Sequence, residues 1–225
     1  MTVAAVILAA HHDIALREAE GVPNARRLTD AAWAGGALPI VVVAPDPAGT
    51  VAAALAGSEA TLASPAPDGA GPAGQMARGA RVALDLVAET SAVLLWPARM
   101  GWVDAETVTS LIEGHGRAPG VLLRPTYAGE AGWPALVPVA HLGALGAIGP
   151  RPRPPEVLDA LVASGVPLTT VEVGDPGVAH DIDTPREALP PFEGPPEPAA
   201  GHHHEWGAEV AREPDADPEP PPTVG

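Results

Sequence analysis

Over residues 1–188, short apolar runs alternate with segments whose apolar positions recur every three or four residues. VAAVILAA (3–10) is a continuous apolar run of strand length, as expected for a strand covered on both faces. RRLTDAAWAGG (26–36) has helical spacing and closes on Gly35-Gly36, a helix stop. LPIVVVA (38–44) is rich in β-branched residues and predicts a second strand, and EATLAS (59–64) a third. PAPDGAGPAG (65–74) reads as a loop, and QMARGARVALDLVAE (75–89) as the helix after it.

The alternation continues with a strand at SAVLLWP (91–97) and a helix at DAETVTSLIEGHG (104–116), which places Val108, Leu111 and Ile112 on one face. GVLLRP (120–125) and PALVPVA (134–140) predict strands around a Gly-rich crossing. PPEVLDALVASG (154–165) predicts a helix with Val157, Leu158, Leu161 and Val162 as its stripe, and PLTTVEV (167–173) a final strand. Strands separated by helices of this length imply an α/β fold, a three-layer, Rossmann-like arrangement with a mostly parallel sheet. Ligands of such sheets sit beyond the carboxyl ends of the strands. That directs attention to the loops after residues 10, 44, 64 and 96.

Beyond residue 188 the pattern stops. From Pro190 onward there are eight acidic residues and one arginine among many prolines. Such a segment buries too little apolar surface to offset its ordering entropy. The expected organisation is therefore one domain over 1–188 and a disordered acidic tail over 189–225, with the tail a candidate for protein contacts.

Charge and composition narrow the function classes. The net charge of −16 argues against a nucleic-acid partner. No run of 18 apolar residues and no basic leader precede or interrupt the pattern, so neither a membrane span nor a signal peptide is expected. Cysteine is absent, which removes disulfides, thiolate ligands and a thiol nucleophile. A cytoplasmic location fits. All 12 basic residues are arginine, so no phosphate-binding Gly-x-x-x-x-Gly-Lys-Ser/Thr loop exists. No Gly-x-Ser-x-Gly element occurs either.

Four stretches carry the candidate chemistry: VAAVILAA at the start, Gly71–Gly79, LLWPARMGWVDAET (94–107), and the pair RPTYAGEAGWPAL (124–136) with VEVGDPGVAHDIDTP (171–185). In this order and spacing they resemble the MobA-like nucleotidyltransferases, including those that attach a cytidyl or guanylyl group to molybdopterin. The resemblance implies a nucleotidyltransferase-type fold, a nucleoside triphosphate (CTP or GTP), Mg²⁺, and phosphoryl attack with loss of pyrophosphate. Carried over residue by residue, it implies nucleotide contacts from Ala9, Ala10, His11, Gly71 and Gln75. It implies an acceptor site around Tyr127, Gly129, Gly132 and Trp133, and metal ligation by Asp183 and Asp181.

The sequence departs from the family pattern where the chemistry is most demanding. His11 replaces a glycine of the phosphate loop, and the family lysine has no counterpart; Arg17 is the one candidate for a partial substitute. Aligned on WVDAET, the central-strand aspartate falls on Arg99 and a proline on Gly101. Unit charges about 4 Å apart interact by about 4 kcal/mol at an effective dielectric near 20, and a dication doubles that. A cation at this position therefore repels the metal that an aspartate would hold. The expectation is that Arg99 replaces the metal and pairs with Asp183 or Asp181.

Plainer readings stand beside these. In HDIDTP (180–185), Asp183 or Thr184 can cap a helix whose first turn takes Pro185 and continues through Arg186-Glu187. Local chemistry alone favours that cap over a metal ligand. His11-His12 reads as polar loop filler, His202–His204 as a weak imidazole site at most, and Gly71–Gly79 as a connector as readily as a nucleotide loop. Two functions remain open: nucleotidyl transfer to a molybdopterin-type acceptor, or a catalytically silent relative that binds a ligand or a protein. Glycosyl transfer from a nucleotide sugar is a third.

Overall fold

The computed structural model describes residues 2–67 and 69–194. The chain runs β1 (Thr2–Leu8), α1 (His12–Leu16), β2 (Glu18–Ala19), β3 (Val22–Pro23), α2 (Asn24–Ala34), β4 (Ile40–Val43), α3 (Thr50–Ala54), β5 (Ala60–Ala63) and α4 (Gly71–Leu86). It continues through β6 (Thr90–Pro97), α5 (Ala105–Arg117), β7 (Leu122–Tyr127), β8 (Glu130–Ala131), β9 (Ala135–Pro138), α6 (Val139–Leu142), α7 (Pro154–Ala163) and β10 (Leu168–Glu172). The main sheet is ordered β10-β7-β9-β6-β1-β4-β5, with β8 folded back on β7.

Along that path the strands pair in parallel except at β9, which runs antiparallel to both β6 and β7. Its direction follows from chain length. A parallel return needs a crossover of a dozen residues or more, and β7 and β9 are joined by residues 128–134 alone. The other connections carry helices, so the expected three-layer α/β sheet is observed.

Alternation within the strands builds the layers. In β1, Val3, Ala5 and Ile7 face a core with Leu28 of α2 and Leu111 of α5. Ala4 and Val6 face the opposite core, with Met76 of α4 and Leu158 of α7. Successive strand side chains point to opposite faces, so a strand covered on both sides has no polar position. That is why VAAVILAA shows no alternation.

Several elements differ from the sequence expectation. The helix expected at 75–89 begins at Gly71, so most of the segment read as loop or connector after residue 70 is its first turn. Pro72 suits that turn because its missing N–H is not needed there. Gly79 lies inside the helix because a Cβ there would sit 2.2 Å from Val6 Cγ1, which lets the helix lie close on β1. The helices α1, α3 and α6 span 5, 5 and 4 residues, too short to show a 3.6-residue period. The helix expected after HDIDTP is a three-residue 3₁₀ turn, Arg186–Ala188. Its N-cap is Pro185, which has no side-chain acceptor, and Asp183 instead contacts Arg17 and Arg99.

The boundary at 188 is not a point where contact ends. Leu189 packs against Trp102 and Ile182, and the Glu193 amide donates to the Gly174 carbonyl at 3.0 Å. The rest of the expected tail, with His202–His204, lies outside the described residues. Among the described residues no helix is long and apolar enough to cross a membrane.

A buried histidine sets a pH dependence. His115 of α5 is fully buried, with Nε2 3.2 Å from Ser91 Oγ and Nδ1 without a partner among the described residues. Ser91 Oγ donates its own proton to the Thr2 carbonyl, so the imidazole donates from Nε2 and Nδ1 is bare. Burial pushes the His115 pKa below 6.5. The unfolded chain therefore binds the proton first, and the stabilisation is complete above pH 6.5 and is lost as pH falls from there through the lower pKa of the folded state. Urea midpoints should show wild type losing more than His115→Gln between about pH 7.5 and about 5.5. Equal losses would place the pH dependence elsewhere.

Candidate functional site

At the carboxyl ends of β1, β4 and β6 lies a cleft of about 580 Å³. Ala9, Ala10 and His11 leave β1 along one side of it, and Gly71, Gln75 and Met76 of α4 form the facing wall. Arg99, two residues beyond β6, closes one end. The five residues expected to meet a nucleotide thus line one cleft. Its floor and remaining walls come from Leu8, Val43 and prolines such as Pro45 and Pro97, and are apolar.

Gln75 is not free to read a base. Its Oε1 accepts from the Ala66 amide at 2.8 Å and its Nε2 donates to the Ala66 carbonyl at 3.2 Å. Both ends of the amide pin the loop before α4, so the side chain serves as wall. Gly71 has φ +66, and a Cβ there would lie 2.1 Å from the Pro150 carbonyl oxygen. Glycine at this position lets two backbones meet, independent of any ligand.

At the Arg99 end four charges meet. Arg99 Nη2 donates to Asp181 Oδ2 at 2.6 Å and also to Asp183 Oδ2. Arg17 Nη1 donates to Asp183 Oδ1. The Asp183 amide donates to Asp181 Oδ1 at 2.9 Å, which holds the two carboxylates in one turn. Loops after α1, after β6 and ahead of the 3₁₀ turn are thereby joined. The carboxylates of Asp181 and Asp183 raise the Arg99 pKa, and the guanidiniums of Arg17 and then Arg99 lower that of Asp183. The group is about half exposed, so its value lies in geometry more than in stability.

Sequence reasoning missed the residue that holds these loops in place. Asn24 opens α2, is fully buried, and donates from Nδ2 to the carbonyls of Ile14 at 3.1 Å and Ala98 at 2.6 Å. It ties the Arg17 loop to the backbone just before Arg99. It also explains Gly101, where a Cβ would lie 2.6 Å from Asn24 Oδ1 and 3.0 Å from Ile182 Cδ1. Buried Asp175 was missed as well. It accepts from the amides of Asp104 and Gly177 and from Thr107 Oγ1, at 2.8–2.9 Å. A lone Asn or Asp in a loop carries no local signal for such long-range bonds.

The residues expected around an acceptor do not line this cleft. Trp133 is buried against the layer containing α4 and α7, with the Arg124 guanidinium over its ring at 5.9 Å. Tyr127 packs edge-on to His180 at 6.5 Å. Gly129 has φ +84 in the turn between β7 and β8, and Gly132 abuts the Val178 backbone.

The model of the MobA-like NTP transferase domain matches residues 11–177. The chain belongs to the MobA-like NTP transferase family. No curated protein matches the sequence. Among solved structures, Rv0371c from Mycobacterium tuberculosis H37Rv in complex with manganese is similar at 21% identity and a TM-score of 0.60, over 84% of this chain and 98% of that one. A nucleotidyl transferase from Methanothermobacter thermautotrophicus is similar at 20% identity and 0.60, over 76% and 87%. The 2-C-methyl-D-erythritol 4-phosphate cytidylyltransferase of Thermus thermophilus is similar at 19% and 0.62, over 84% and 96%. At these identities the likeness shows a shared nucleotidyltransferase fold.

A divalent ion of the kind this MobA-like resemblance implies does not fit the residues present. Mg²⁺ takes one or two carboxylates with open coordination around it. Here Asp181 and Asp183 are already bridged by one guanidinium, and Asp183 carries a second. No group of three or more His, Cys, Asp or Glu side chains able to hold a metal occurs among the described residues.

Proposed function

We propose that this chain is a ligand-binding member of the MobA-like family that does not transfer nucleotidyl groups, with Arg99 taking the place of the catalytic cation. The observation carrying this reading is the contact of Arg99 Nη2 with both Asp181 and Asp183. Nucleotidyl transfer needs charge neutralisation at the phosphates more than covalent help from the protein. Here the two guanidiniums are themselves neutralised by two carboxylates, and no lysine is available to add charge. The chain's own groups therefore shape a cleft and brace its end. Contact with a protein partner through the acidic segment beyond residue 188 belongs to the same proposal.

A second reading is transfer from CTP or GTP to a molybdopterin-type acceptor held near Tyr127, Gly129, Gly132 and Trp133. It is favoured by the cleft's position at the carboxyl ends of the central strands, where ligands of such sheets bind. Calorimetric titration with CTP, GTP and ATP, with and without Mg²⁺, separates the two. The silent reading expects no metal-dependent binding and no pyrophosphate release in the presence of acceptor. Mg²⁺-dependent binding near ~1 μM, about −8 kcal/mol, together with pyrophosphate release would overturn it.

A further inference from the structure

Resting on the silent-relative reading, we infer that the cleft binds an apolar, preferably aromatic, molecule bearing a single anionic group. The ligand class follows from the walls. A cleft of about 580 Å³ falls within the size range of small-molecule sites, which combine apolar walls with a few polar anchors. Leu8, Val43, Pro45, Pro65 and Met76 provide the apolar surface, and the thioether of Met76 adds favourable contact with an aromatic ring. Gln75, which could have offered an amide, spends both polar ends on Ala66.

Beside the His11 imidazole, the cleft's guanidinium anchor is Arg99. Both side-chain hydrogen bonds of Arg99 among the described residues leave from Nη2. A guanidinium has five N–H donors in a fixed fork, so the Nε and Nη1 donors are available to a ligand at the end of the cleft that Arg99 lines. They suit one carboxylate, sulfonate or phosphomonoester. A triphosphate is disfavoured by charge. Arg17 and Arg99 are balanced by Asp181 and Asp183, so the group is neutral as a whole and each added phosphate brings negative charge toward two carboxylates. Phosphates beyond the first therefore add no affinity.

The test uses the full-length chain in EDTA, with 8-anilinonaphthalene-1-sulfonate, an aromatic monoanion, as the probe. Fluorescence titration should give one saturable site. Ala10→Trp, which fills the cleft from an exposed wall position, should weaken probe binding by about tenfold or more, near 1.4 kcal/mol. Arg99→Met should weaken it by about fivefold through loss of the anchor. Near-UV circular dichroism confirms that each variant is folded, and Arg99→Met decides the question if Ala10→Trp is not. CTP at about 1 mM should leave most of the probe bound, corresponding to binding weaker than about −4 kcal/mol. Probe affinity unchanged in Arg99→Met, or in a folded Ala10→Trp, overturns the inference. So does metal-free displacement by CTP at micromolar concentration. If that displacement comes without pyrophosphate release, the inference falls and the silent reading stands; pyrophosphate release in Mg²⁺ and acceptor overturns both.

Discussion

Replacing Arg99 by aspartate is expected to raise the affinity of this chain for divalent metal. Wild type places a guanidinium between Asp181 and Asp183, with its Nη2 in contact with both. The substitution exchanges a positive for a negative charge at that point and leaves an open set of three carboxylates, of which Asp183 still holds Arg17. Carboxylates without a cation repel one another, so the metal-free variant should also lose some order in the 181–183 turn. Exposure screens these charges, yet a reversal of sign next to a dication survives screening. Mn²⁺ affinity measured by electron paramagnetic resonance should rise by about a hundredfold or more over wild type. Arg99→Met, which removes charge without supplying a ligand, should fall between the two. Arg17→Ala in the Arg99→Asp background should strengthen binding again by freeing Asp183. Wild type binding Mn²⁺ as tightly as Arg99→Asp would show that the guanidinium does not hold the metal position.

The contact of Arg99 with the late aspartates was legible in the sequence because Arg99 lies in a motif with fixed neighbours: LLWPARMGWVDAET places it relative to a strand and a helix at once. The strands were legible for a similar reason, since β1, β4 and β6 are apolar on both faces and bounded by helical segments. The partners of Gln75 were not legible, because an amide that could meet a base and one that pins Ala66 look identical in one dimension. Asn24 was hidden in the same way. Its two carbonyl partners lie 10 and 74 residues away, and nothing local distinguishes it from an ordinary helix-start residue. The plain reading of HDIDTP as a helix cap failed because the element that follows is a three-residue 3₁₀ turn whose N-cap is Pro185, and because Asp183 makes charge-assisted hydrogen bonds to two arginines from distant loops.

Gly132→Ala is expected to destabilise the fold by about 2–3 kcal/mol, the cost of forcing a methyl into a packed site. A Cβ at this position would lie 2.2 Å from the Val178 carbonyl oxygen and 2.8 Å from Val178 Cβ. The clash is with backbone that already has work to do. The Val178 carbonyl accepts from the Trp133 amide at 3.0 Å, and the Gly132 amide donates to the Pro125 carbonyl at 2.8 Å. Separating Gly132 from Val178 therefore pulls on β7 at Pro125 and on the seating of Trp133. Gly129, three residues earlier, makes the contrast. Nothing lies within 4 Å of a Cβ there, but its φ is +84. Alanine at 129 meets only the left-handed backbone penalty, about 1–2 kcal/mol, and no steric contact. Denaturant unfolding of the two variants should rank Gly132→Ala as the more damaging. If Gly132 instead serves a ligand, its variant should unfold like wild type and lose only binding, an outcome that would return this turn to the acceptor site.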